Sequence, residues 1–364
     1  MLQTVETPSA PSIFTTDGSA SPLWGLVFKN LVLIVLTLGI YRFWAKTNVR
    51  RFLWRHTLVA GERLEYTGTG GELLKGFLIV FLGVVLPLSL VINLASYLLE
   101  TGMGSIAIFL WAIGILAFFY LPFCAVFFAV RYRFSRTRWR GIRFALPGSP
   151  WAYGRVAAGW WFLQILTLGL LSPVVGVRLW SYVWNQARFG GLAFQFTGTA
   201  KGLYRTFLPM VVVAVLWIGA IQMPFVLHFL SPFSESGQRP DYELGYMMGN
   251  FAVVLLLSVL FVKFFIRYKV AQMNLLVGGL ALGGMVHLKA DFPSGALLRL
   301  MIGNGLLILL TLGLGVPHAS LRGLRFVCAH VSLEGRPDFA AIVQSAEAVP
   351  KRGEGLADAF DVSF

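Results

Sequence analysis

The chain has 364 residues, 57% hydrophobic and 13% charged, with a formal charge of +14. Soluble domains carry about 45–50% apolar and 25% charged residues. With a mean hydropathy of +0.73, a two-domain cytosolic enzyme is excluded, and a polytopic membrane protein is expected.

Residues 1–13 hold Pro8, Pro11, Ser and Thr but no basic residue. They read as a polar lead-in, because a secretory signal opens with a basic region. Apolar runs then cover Leu23–Ile40, Leu74–Leu98, Ile106–Val130, Val156–Leu171, Phe207–Leu230, Met247–Phe265 and Leu297–Val316. The second, third, fifth and sixth reach the roughly 18 residues that cross a bilayer. The other three are shorter or carry polar residues, namely Lys29 and Asn30, then Gln164, then Arg299 and Asn304. Segment 343–364 mixes charges, Gly and Pro without periodicity and is expected to be a flexible tail.

Thr-Leu-Gly recurs at Thr37, Thr167 and Thr311, each followed 24 residues later by Gly61, Gly191 or Gly335. Thr67-Gly68-Thr69 returns as Thr197-Gly198-Thr199, and Pro173 and Arg178 return as Pro317 and Arg322. The chain therefore divides into repeat 1 (14–143), repeat 2 (144–279) and a partial repeat 3 (280–342). A smaller unit starts at Arg51-Phe52, Arg131-Tyr132, Ser181-Tyr182, Arg267-Tyr268 and Arg325-Phe326. It runs from a basic helix end to a glycine turn, then to an apolar residue with Gly four further on. These last pairs are Leu64/Gly68, Phe144/Gly148, Phe194/Gly198 and Leu280/Gly284, with Phe14/Gly18 opening the chain. Ala60-Gly61, Arg140-Gly141, Gly190-Gly191 and Gly278-Gly279 suit two-residue hairpin turns, which need positive φ. The hairpins either gather into a small sheet or remain irregular polar loops. In the fifth unit Asp338 takes the apolar position, so its second strand is in doubt.

Lys and Arg in short loops mark the cytoplasmic side. Segment 42–55 carries Arg42, Lys46, Arg50, Arg51 and Arg55 without an acid, and 131–143 carries Arg131, Arg133, Arg136, Arg138, Arg140 and Arg143. Segment 231–245 instead holds Glu235, Asp241 and Glu243 against Arg239. Seven simple crossings place some of these segments on the wrong side. Four crossings plus three hairpins that bend at Thr-Leu-Gly, entering and leaving on one face, restore the pattern. Both termini are then cytoplasmic.

The stretch from Asn30 to Lys46 (NLVLIVLTLGIYRFWAK), with Arg50-Arg51-Phe-Leu-Trp54 and Gly61 to Leu74 (GERLEYTGTGGELL), resembles the YjgN family of bacterial inner-membrane proteins. The resemblance implies a multi-spanning protein in the bacterial inner membrane. The family is a domain of unknown function, so it implies no substrate.

The residues carry no GxSxG, P-loop or CxxC, and no catalytic, cofactor or metal site is expected; the protein reads as non-enzymatic. His56, His228, His287, His318 and His330 show no metal-ligand spacing. None of the 16 acids lies inside an apolar run, which argues against a proton- or sodium-coupled carrier. Asn30, Gln164 and Asn304 are either a polar lining near the hairpin bends or side chains that bond helix to helix. Trp24, Trp54, Trp151, Trp180 and Trp184 fit a headgroup-level belt, with an aromatic cage as the alternative. The six arginines from 131 to 143, laid on an extended ribbon, would alternate with Tyr132, Phe134 and Trp139 and hold anionic lipid headgroups. The plainer role is orientation during insertion. The basic excess is assigned to lipid, not nucleic acid. Two functions remain: a passive passage protein (channel or carrier), or a lipid-contacting envelope scaffold or sensor with a basic cytoplasmic face.

Overall fold

All seven apolar runs form helices, and what happens at their ends sets the architecture. The structure, a computed structural model, describes residues 13–230 and 244–335. Segments 1–12, 231–243 and 336–364 lie outside the described residues. So do the lead-in, the acidic segment with Ser236, Asp338 and the tail.

The chain opens with strand β1 (Phe14–Thr16), followed by two short helices, α1 (Ala20–Leu36) and α2 (Arg42–Arg55). A hairpin follows, β2 (Thr57–Val59) and β3 (Glu62–Tyr66), turning at Ala60-Gly61 with φ +49° and +80°. Helix α3 (Gly70–Val80), a π-helical turn (Phe81–Val85) and α4 (Leu86–Glu100) run out. The long α5 (Gly104–Arg136) returns to β4 (Thr137–Trp139) and β5 (Ile142–Ala145). Next come the short pair α6 (Pro150–Leu166) and α7 (Ser172–Trp184), then β6 (Arg188–Phe189) and β7 (Leu192–Phe196). A second long pair, α8 (Tyr204–Leu230) and α9 (Leu244–Gly278), leads to β8 (Leu280–Leu282) and β9 (Val286–Ala290). A third short pair, α10 (Ser294–Leu310) and α11 (Val316–His330), ends in β10 (Val331–Glu334). Four helical stretches among the described residues are long and apolar enough to cross a membrane: Gly70–Glu100, Gly104–Arg136, Ala200–Leu227 and Gly245–Gly278.

The ten strands pair in chain order as one antiparallel meander. Strands on either side of a helical pair are neighbours: Leu64 faces Trp139, Phe144 faces Phe189, and Phe194 faces Leu282. Tight turns therefore sit at one end of the sheet, and every helical pair leaves from and returns to the other. The meander curls until its ends approach. Helix α11 packs on β1, the Arg325 guanidinium donates to the Gly18 carbonyl, and His318 bonds the Ala20 carbonyl at 3.1 Å.

The inner sheet face builds an aromatic core with α5 and α6. The ring centroid of Phe144 lies 4.7 Å from that of Phe189, Trp139 lies 5.5 Å from Phe189, and Phe127 lies 5.3 Å from Tyr153. Small residues let α6 approach α5: a side chain at Gly154 would meet the Cys124 thiol. Helix α3 starts on a capping box, with Thr69 and Glu72 each satisfying the other's backbone N–H.

Three expectations are corrected. Gly278-Gly279 is not a turn: Gly278 ends α9, and the β8–β9 loop is Gly283-Gly284-Met285. Helix α9 outruns its apolar segment because its polar end still packs, with Trp180 donating to the Leu276 carbonyl at 2.9 Å. Leu280/Gly284 is consequently a strand and its turn, not a strand and its stop. Residues 131–136 are helical, so Arg131, Arg133 and Arg136 lie on no extended ribbon. Burial of Tyr132 and Ser135 keeps α5 wound to its last turn.

Candidate functional site

The three Thr-Leu-Gly segments share one conformation. Each threonine caps its helix: Thr37 Oγ1 donates to the Leu33 carbonyl at 2.7 Å, Thr167 to Leu163 at 2.9 Å, and Thr311 to Leu307 at 2.6 Å. Gly39 N–H reaches the Ile34 carbonyl at 2.8 Å while Leu38 N–H reaches Val35 at 3.2 Å, the paired bonds of a Schellman C-cap. Gly169 with Leu168, and Gly313 with Leu312, repeat that pair. Glycine usually takes the first left-handed position of this cap. Here leucine does, with φ +49°, +50° and +49° at Leu38, Leu168 and Leu312, and the glycine follows at φ +91°, +85° and +91°. These leucines are 94%, 93% and 93% exposed. A left-handed leucine costs roughly 1–2 kcal/mol, and each tip holds an uncovered apolar side chain at that cost. Tripeptide recurrence alone gave no sign of this conformation.

The amides expected at the bends are separated. Asn30 accepts from Asn48 Nδ2 at 3.3 Å, Gln164 donates to Ser172 Oγ at 3.1 Å, and Asn304 donates to the Ala319 carbonyl at 3.3 Å. Each amide ties the first helix of its own short pair to the second or to the bend between them. The structure does not bring them together. Asn30 Nδ2 and Asn304 Oδ1 are buried without a hydrogen-bond partner among the described residues.

The six arginines divide by the elements that carry them. On α5, Arg131 donates to the Gly148 carbonyl at 3.3 Å, and Arg133 donates through Nε to Ala129 at 3.4 Å while bordering a cavity. Arg136 ion-pairs with Glu72 at 2.9 Å. On the hairpin, Arg140 sits over the Trp139 ring at 5.2 Å and lies 3.8 Å from Glu62. Arg138 and Arg143 stand directly opposite each other across β4 and β5, with Glu65 of β3 on the other flank of Arg138. Alternation holds on β4, where Trp139 is buried and Arg138 exposed, but not on β5, whose four residues are all half-buried.

Trp24 and Trp151 are exposed, Trp24 stacked on His318 with ring centroids 3.9 Å apart. Trp54, Trp180 and Trp184 instead turn inward around the cavity beside Arg133. His56 and His330 each bond through Nδ1 the carbonyl four residues back, at 2.7 Å. The described residues contain no cluster of three or more His, Cys, Asp or Glu suited to a metal ion.

Four helical stretches long and apolar enough to cross a bilayer, with a ten-stranded sheet gathered at one end, fit a helical membrane protein. The chain belongs to a family of bacterial proteins of unknown function, DUF898, whose profile matches residues 12–359. It is similar to the inner membrane protein YjgN of Salmonella typhimurium strain LT2, 26% identical over 182 residues, 50% of this chain and 41% of that one. YjgN of Escherichia coli O157:H7 is 26% identical over 173 residues, 46% of this chain and 38% of that protein. Each match thus spans less than half of the relative's length. No solved structure matches.

Proposed function

We propose that this chain is a non-enzymatic, lipid-contacting scaffold or sensor of the bacterial inner membrane. Four long helices cross the bilayer. The three short pairs enter the cytoplasmic leaflet from the same side as the sheet, and both termini are cytoplasmic. The observation that carries the reading is the set of tips at Leu38, Leu168 and Leu312, uncovered apolar side chains held in a strained conformation. Strain of this kind persists where the surroundings or a function maintain it. The arginine pair Arg138 and Arg143, one strand-length from the end of α5, supplies the basic face, and each contact with anionic headgroups is worth about 1 kcal/mol. A passive channel or carrier would need a shared polar path, and Asn30, Gln164 and Asn304 each bond within their own pair.

Single cysteines at Gly61 and Gly191 should resist an impermeant thiol reagent in intact cells, and one at Ser236 should react. The reverse result replaces the hairpins with seven crossings. Replacing Arg138 and Arg143 by Lys keeps the charge but loses the planar fork that suits phosphate. Co-purifying anionic lipid should fall with topology unchanged; unchanged lipid would leave these arginines as orientation signals.

A further inference from the structure

A cavity of 580 Å³ lies where α2, α5, α6 and α7 meet β4 and β5, and none of the residues singled out as a polar lining reaches it. Its wall is aromatic, with Trp54, Phe134, Phe144, Trp180 and Trp184, and its cationic side chain is Arg133. Small-molecule sites commonly measure about 300–1,000 Å³ and combine apolar walls with a few placed polar groups. An apolar chamber bordered by one guanidinium suits an amphiphile whose single charge is negative.

We propose that this cavity binds a single-chain fatty-acid anion, its acyl chain against the aromatic wall and its carboxylate on Arg133. The proposal rests on the lipid-contacting reading and assigns it an internal ligand. The guanidinium fork matches a carboxylate through two parallel N–H donors. Trp54 is anchored for such a wall, its indole donating to Thr137 Oγ1 at 2.9 Å, and Trp180 is fixed by its bond to Leu276. Both rings are thus held before a ligand arrives, which lowers the entropic cost of binding.

The test uses the full chain in nanodiscs and the bromine quenching of tryptophan. Dibromostearic acid should quench part of the emission saturably, while the uncharged dibromostearyl alcohol should quench only in proportion to its bilayer content. Trp54→Phe combined with Trp184→Phe should shrink the saturable part. Arg133→Gln should weaken it at least about tenfold, since glutamine offers neither the charge nor the paired donors of the guanidinium fork. Val130→Phe, which pushes a ring into the chamber, should weaken it at an unchanged thermal midpoint. If Val130→Phe fails to fold, the acid–alcohol contrast and Arg133→Gln still decide. Equal, non-saturable quenching by acid and alcohol overturns the proposal. Anionic-lipid retention by Arg138 and Arg143 is read separately. Its survival would keep the scaffold reading even with an empty chamber.

Discussion

Arg136 Nη2 meets Glu72 Oε1 at 2.9 Å, joining the last turn of α5 to the first turn of α3. Tyr132 donates its hydroxyl to the other carboxylate oxygen at 3.1 Å, and the Thr69 N–H approaches that oxygen at 3.4 Å. One half-buried carboxylate therefore closes a helix cap, an ion pair and a phenol bond together. Glu72→Gln should cost about 1–3 kcal/mol, and Glu72→Ala more, since it also empties the cap. A lowered thermal midpoint in detergent checks this, and an unchanged midpoint for Glu72→Ala would refute the joint.

The hairpin tips should be relieved by glycine. Leu168→Gly removes the Cβ clash of the left-handed conformation, and the change should stabilise the detergent-solubilised protein by up to about 1 kcal/mol. Gly169→Ala, at φ +85°, should do the opposite. A fall in thermal midpoint for both substitutions would contradict the assigned strain.

Depth is a separate question from strain. A nitroxide attached to Leu168→Cys should collide more often with oxygen than with a water-soluble nickel chelate, because oxygen concentrates in hydrocarbon. The same label at Gly61→Cys should show the reverse. A tip as accessible to the chelate as the β-turn would place it in water.

Strand-stop glycines should be intolerant. At Gly68 a Cβ would lie 2.5 Å from Tyr66 Oη and 2.8 Å from Tyr132 Oη, whereas at Gly71 it meets nothing within 4 Å. Gly68→Ala should cost about 1–3 kcal/mol by overpacking, and Gly71→Ala should be neutral or mildly stabilising within a helix. Equal melting temperatures for the two variants would reject the contrast.

The native thiols should be silent. Cys124 and Cys328 are both buried, and burial pushes the Cys328 thiol above its ordinary range. Its thiolate fraction is therefore suppressed at neutral pH and rises only at more alkaline pH than for a free thiol. Maleimide uptake by the folded protein should be near zero at pH 7, rising on denaturation. Rapid labelling of the folded wild type would refute the burial.

Much of the helical framework was legible because its signals are local. A run such as Ile106–Val130 has nowhere to go but a long helix, and the glycines after Thr37, Thr167 and Thr311 end theirs. Ala60-Gly61 and Arg140-Gly141 turn as their residue types suggest. The meander was not legible. Leu64 pairs with Trp139 across the whole of α3, α4 and α5, and strands of two to five residues leave almost no periodicity. Gly278-Gly279 misled because a helix end and a hairpin turn want the same residue. The arginine segment misled because alternating charge and aromatic residues also fit the last turns of a helix. The inward Trp54 and Trp180 were missed for a similar reason: tryptophan beside a charged residue reads as membrane interface whether it faces out or in.

Arg325 reaches Gly18 across nearly the whole chain, while Arg51 reaches Gly68 and Arg131 reaches Gly148 over 17 residues. The same guanidinium-to-glycine contact is made locally twice and once across the seam between β10 and β1. Where the backbone is cut is then a matter of connectivity rather than of packing. A circular permutant joining residue 335 to residue 14 through a short linker, and opened at Gly190-Gly191, would retain every helical pair intact. Its new ends would lie at the tight turn between β6 and β7, in the middle of the strand order, so a reporter could be fused there without threading a membrane helix.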